Sequence, residues 1–183
     1  MARSTKKPRR RILQSSGALL LAALLTSGCA STAKRVGVPY EVKLIAADDV
    51  NPDARQRPSP VQITVYTLAS TRGFEESDFF GLQGDPRQAL GEELIRVEQV
   101  ILRPGQTHVL RGEGDPKAQA LGVVAAYRDL EHSDWRLTIP LPEARSTNVY
   151  KFWQMSPGAH VLRIVADRKA ITAAEEDTPW WRF

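Results

Sequence analysis

A single cysteine, Cys29, stands in the 183 residues of this chain. No internal disulfide can staple such a chain, so its domain must be held by apolar burial. Residues 40–183, roughly 145 in number, suffice for one hydrophobic core and are too few for two comfortable ones.

The position of Cys29 is as informative as its solitude. Lys6, Lys7, Arg9, Arg10 and Arg11 precede an apolar run from Gly17 to Leu25, and Thr26-Ser27-Gly28-Cys29 follows at once. Positive charge, a short apolar segment and small residues at a cut are the parts of a secretory signal peptide. The run is too short to cross a bilayer as an ordinary helix. Small residues before the lone cysteine resemble the bacterial lipobox, with Thr26 standing where Leu is usual. This reading makes residues 1–28 a lipoprotein signal peptide and Cys29 a lipid-modified N-terminus. A mature lipoprotein carries more than one acyl chain, palmitate among them, because a single chain binds a membrane only marginally. Ala30, where Asp would signal retention, resembles outer-membrane delivery. Residues 29–39 are then expected to form the lipidated end and an unpatterned tether.

Processing reverses the charge of the chain. Residues 1–28 hold six Lys or Arg and no acid, so 19 basic and 21 acidic residues remain after the cut. The basic isoelectric point belongs mostly to the signal peptide, and a nucleic-acid partner is not implied.

From Tyr40 the pattern is that of strands. Tyr40, Val42, Leu44 and Ala46 alternate with Glu41 and Lys43, and Val61 to Leu68 alternates in β-branched and aromatic residues. Asp48 to Pro60 between them is rich in Pro, Asp and Asn, a loop by its turn chemistry. Thr71 to Leu94 lacks alternation and predicts short helical pieces, with Asp85 as an N-cap and Pro86 at the first helical position. Further strands are expected over about 96–102, 107–111, 121–127, 135–139, 148–153 and 160–167. Leu121 to Tyr127 is continuously apolar, as a strand covered on both faces would be. Ala170 to Phe183 is expected to hold a short helix before an exposed aromatic tail with Trp180 and Trp181. Many short strands separated by turn residues indicate a mainly β fold, a β-sandwich.

Catalytic and metal-binding patterns are not met. His108 and His160 fall in strand patterns as surface or edge-strand residues, without the spacing of a zinc helix. Glu131-His132-Ser133-Asp134 are adjacent in a turn, where side chains diverge, so they make no triad. Asp49, Asn51 and Asp53 imitate the start of a calcium loop, but Ala54 and Pro60 occupy the positions that need Gly and a bidentate Glu. No cofactor is implied, and an enzyme has no constellation to stand on. A tethered β domain with long polar loops suits partner binding. A periplasmic module for a small ligand or glycan is the alternative, and it predicts a concave, aromatic-lined pocket.

Several segments resemble one family. They are Val50-Asn51-Pro52-Asp53, then Arg57-Pro58-Ser59-Pro60-Val61 running into Val65-Tyr66-Thr67-Leu68, Phe74 with Asp78-Phe79, and Leu102-Arg103-Pro104-Gly105. The most specific is Leu121 to Leu130, followed by Trp135-Arg136. In this order, behind a lipobox, they resemble the outer-membrane lipoprotein family of type VI secretion systems (TssJ). The resemblance implies a transthyretin-like β-sandwich with short helical insertions and no catalytic role. It also implies an outer-membrane anchor facing the periplasm and binding the periplasmic C-terminal domain of the inner-membrane protein TssM, in a membrane complex completed by TssL. The family's principal contact is the loop between the first two strands. Here that loop puts forward Asn51, Asp53, Arg55, Gln56 and Arg57 as exposed partner-binding side chains.

Overall fold

Alternation along Tyr40–Ala46 becomes a strand with every second side chain buried, and this period of two organises the architecture. A computed structural model of the protein describes residues 34–147 and 159–175. Cys29, the segment before it, the expected strand at 148–153 and the Trp180-Trp181 tail lie outside the described residues.

In chain order the strands are β1 (Lys34–Val36), β2 (Tyr40–Ala46), β3 (Val61–Leu68), β4 (Leu94–Leu102), β5 (Thr107–Gly112), β6 (Ala120–Ala126), β7 (Arg136–Pro140), β8 (Arg145–Thr147), β9 (His160–Ala166) and β10 (Ile171–Glu175). The helices α1 (Arg72–Glu76), α2 (Phe79–Gly84) and α3 (Pro86–Leu90) all fall between β3 and β4. Two four-stranded sheets form, ordered β10-β9-β2-β5 and β4-β3-β6-β7, while β1 and β8 make a two-stranded ribbon. Only the β2–β9 pair is parallel among those of the four-stranded sheets.

Val42, Leu44, Leu162 and Ile164 from the first sheet meet Ile63, Val65, Leu121 and Val123 from the second in one core. The Tyr40 hydroxyl lies 2.9 Å from Thr67 Oγ1, joining the sheets with a buried hydrogen bond. Gly112 makes room for the Tyr40 ring, since a Cβ there would fall 2.2 Å from the ring.

Part of the second sheet's outer face is buried too. Tyr66, Leu68 and Val124 pack there with Phe74, Leu82, Leu90 and Leu94 of the helical insertion and its exit. This third layer explains why Leu121–Ala125 is apolar without alternation. The Asp85 cap is as the sequence predicts, and Asp78 supplies a second. Asp85 accepts from the amides of Arg87 and Gln88 with Pro86 at the helix start, and Asp78 accepts from Gly81 N.

Three expectations are corrected. The tether is shorter than residues 29–39, because Lys34–Val36 pairs with Arg145–Thr147, and Val38 is buried. That pairing joins residues over a hundred positions apart, so no local pattern reveals it. Residues 171–175 are a strand rather than the start of a helix. Asp167 Oδ1 accepts from the amides of Lys169 and Ala170, turning the chain so that Ile171 pairs with Ala166 and enters the core. His108 lies on the edge strand β5, but His160 begins the inner strand β9 and is half-buried, so it is not an edge residue. Among the described residues no helix is long and apolar enough to cross a membrane.

Candidate docking loops at one end of the sandwich

The strand directions gather four connections at one end of the molecule: residues 47–60, 103–106, 127–135 and 167–170. The described chain enters at the other end, through β1 and the start of β2. Seven residues of β2 separate the two ends, roughly 20 Å of extended chain.

The loop 47–60 is pinned by the side chain of Asn51. Asn51 has φ of 49°, a left-handed conformation that Asn tolerates better than most residues. Its Nδ2 donates to Pro60 O at 2.7 Å, closing the loop on itself. Its Oδ1 accepts from Arg128 N at 2.8 Å, tying the loop to the β6–β7 connection. The residue is only 4% exposed, so the expectation that the Asn51 side chain is exposed is corrected. Its polar groups are spent on the backbone of two loops. Val50 is buried beside it, and Val50 O accepts from Ser59 N.

Asp53 builds the tip. Its Oδ1 accepts from the amides of Arg55 and Arg57, at 2.8 and 3.0 Å, and its Oδ2 faces the Arg57 guanidinium at 2.7–2.8 Å. Hydrogen bonding from the Arg57 side chain, then from its amide, holds the Asp53 carboxyl below the usual carboxylate value. Asp53 O accepts from Gln56 N, and Gln56 takes φ of 61°. Arg55, Gln56 and Arg57 therefore project from a closed five-residue turn, and all three are exposed.

Sequence reasoning missed the neighbouring turn. The Arg168 guanidinium donates to Gln56 Oε1 and lies 3.5 Å from Asp49 Oδ2. Lys169 Nζ is 2.7 Å from Asp129 Oδ2, while His132 Nδ1 is 2.7 Å from Asp129 Oδ1. The Lys169 bond, then the His132 bond, lowers the Asp129 pKa. Asp129 thus pairs with both Lys169 and His132. Beneath them the Tyr127 hydroxyl donates to Ala170 O, and burial raises its pKa well above the ordinary tyrosine value. Only pairing across the fold could reveal this, since Asp129 and Lys169 are 40 residues apart.

These residues line a groove of about 430 Å³ containing Asp53, Gln56, Arg128, Asp129, Arg168 and Lys169, with Tyr127 its single aromatic. This groove is charged and open rather than aromatic-lined. Among the described residues no group of His, Cys, Asp and Glu is arranged to hold a metal ion. Ser133 Oγ donates to Leu130 O, away from His132.

The architecture is a β-sandwich carrying polar loops that hydrogen bonds hold in place. Residues 39–167 match the family described as type VI secretion lipoprotein, VasD, EvfM, TssJ, VC_A0113, and the chain belongs to that family. It is similar to Serratia marcescens Lip, a membrane-bound component of the type VI secretion system. The identity is 36%, with 77% of this chain and 99% of that one covered and a TM-score of 0.67. It is also similar to the T6SS lipoprotein TssJ1 from Pseudomonas aeruginosa, at 26% identity, 78% and 99% coverage and a TM-score of 0.68. A chain in a structure described as the T6SS protein TssM C-terminal domain from EAEC shares the fold, at 19% identity, 75% and 98% coverage and a TM-score of 0.57. No curated protein matches the chain significantly.

Proposed function

We propose that this lipoprotein is the outer-membrane anchor of a type VI secretion membrane complex, held by lipid on Cys29 and facing the periplasm. Its partner is the periplasmic C-terminal domain of the inner-membrane protein TssM. The contact runs through Arg55, Gln56 and Arg57, with Asp53 and Asn51 shaping the loop that carries them.

One observation carries this reading: the pinned polar loops stand at the end of the sandwich opposite the chain's entry. A lipid on Cys29 would lie five residues before Lys34, at most roughly 18 Å of extended chain. A body held that way at one end leaves the opposite end free to meet a partner across the periplasm. Its mixed charges favour a fixed orientation over raw affinity.

Calorimetric titration of residues 31–183 with the periplasmic domain of the co-encoded TssM tests it. Binding is expected, and loss of most of it in a folded Arg55→Ala, Gln56→Ala, Arg57→Ala variant. Unchanged binding by that variant would move the contact off this loop. No binding by the wild type at about 100 μM, some 5 kcal/mol of affinity, would defeat the scaffold reading.

A further inference from the structure

Beside the polar loops lies a second surface of different chemistry. Phe80 on α2 is 75% exposed, the most exposed of the large apolar side chains among the described residues. It belongs to a fixed aromatic ledge. The Phe79 ring meets Phe80 edge-on at 5.5 Å and Trp135 edge-on at 5.4 Å. The Arg136 guanidinium sits 5.0 Å from the Trp135 ring centre. Arg136 is itself held, its Nη1 donating to the carbonyls of Phe74, Glu75 and Ser77 at 2.8–3.0 Å.

The ledge borders a hollow of about 360 Å³ lined by Asp78, Phe79, Phe80, Leu130, Glu131, Ser133 and Trp135. Its ionisable lining groups are both acidic. Arg136, next to Trp135 in the chain, is occupied by the three carbonyls. The turn Leu130–His132 lines the hollow, and its preceding residue, Asp129, lines the charged groove. Ledge and groove are thus neighbouring parts of one end of the sandwich.

We infer that the ledge is the apolar anchor point of the same partner interface. It receives a segment that carries a bulky apolar side chain beside a Lys or Arg. The apolar side chain covers Phe80 and the Trp135 edge, and the cation meets Asp78 and Glu131. Rigid aromatics of this kind dominate interfaces because they lose little conformational freedom on burial, and the surrounding polar groups set orientation. The inference rests on the scaffold reading above and adds to it the chemistry of the occupant.

The test uses the processed, lipidated protein in detergent, titrated with the periplasmic domain of the co-encoded TssM. Phe80→Ala and Glu131→Lys are compared with the wild type, and melting temperatures are measured alongside. Both side chains are exposed, so neither change should shift melting. We expect Phe80→Ala to weaken binding by about tenfold or more. Glu131→Lys should weaken it less and flatten its salt dependence. Wild-type binding with both variants unaffected would overturn the ledge while leaving the scaffold reading in place. No wild-type binding would remove both. Sedimentation equilibrium supplies a further arm: wild-type self-association that Phe80→Ala abolishes would assign the ledge to a second copy and overturn the inference.

Discussion

The loop 47–60 and the helical insertion 72–93 are both excursions from the sheets, and they are held in opposite ways. Asn51 anchors the loop by two hydrogen bonds to backbone, beside the small apolar contribution of Val50. Phe74, Leu82 and Leu90 anchor the insertion by burial against Tyr66 and Val124. Apolar anchoring is non-directional and commits a wide face to the core. Polar anchoring fixes a loop through one residue and leaves its other side chains outward. The first suits a supporting layer, and the second suits a recognition surface.

The largest effect should come from breaking the apolar anchor. Phe74 is fully buried, with its ring 5.4 Å from that of Tyr66. Phe74→Ala should cost about 3–5 kcal/mol in urea unfolding. A loss under 1 kcal/mol would show that the insertion is not part of the cooperative core. Asn51→Ala comes next, at about 1–3 kcal/mol, since it strips a partner from the Arg128 amide at a buried site. Its signature is disproportion: partner binding should fall further than stability does, because the loop loses its shape. Equal losses in the two measurements would deny the loop a separate role.

Tyr66→Phe probes a polar tie inside the apolar layer. The hydroxyl donates to Leu82 O at 2.8 Å, and burial pushes its pKa up to about 12. Removing it should cost about 0.5–1.5 kcal/mol, read as a shift in the urea midpoint with unchanged slope. The smallest effect is electrostatic. Asp53 and Asp129 both have pKa values lowered in the folded chain by hydrogen-bonded cations. A carboxylate of lowered pKa stabilises the fold above its unfolded value near 3.8, and that contribution fades as pH falls through the folded value. The wild-type urea midpoint should therefore drop slightly more below pH 4 than that of Asp53→Asn. Parallel curves would show that the exposed pair does nothing for stability.

Much of this was legible because its causes are local. The alternation at Tyr40–Ala46 and Val61–Leu68 and the Asp85-Pro86 cap each depend on neighbours within a few residues. The loop 48–60 was recognisable from its Pro and Asp content, and Arg55, Gln56 and Arg57 do face outward from it. Asn51 was misjudged for a physical reason. An Asn in a turn can point to water or bind backbone, and its choice here depends on Pro60 and Arg128, the latter 77 residues away. The strand at Ile171–Glu175 was equally hidden. Its identity comes from pairing with β9, whereas its two alanines and its glutamate alone suit a helix.

The sequence by itself determined where most strands and turns fall, how a short helix begins at Asp85-Pro86, and that apolar burial without disulfides must hold the domain. It also carried the ordered motifs of a secretion lipoprotein family. Only the tertiary structure decided the parallel pairing of β2 with β9, the pairing of Lys34–Val36 with Arg145–Thr147 and the gathering of four connections at one end. Periodicity and capping are short-range properties that a chain displays before it folds. Sheet order, burial of a polar side chain and the meeting of Asp129 with Lys169 are long-range outcomes, set by which surfaces the whole chain can bury together.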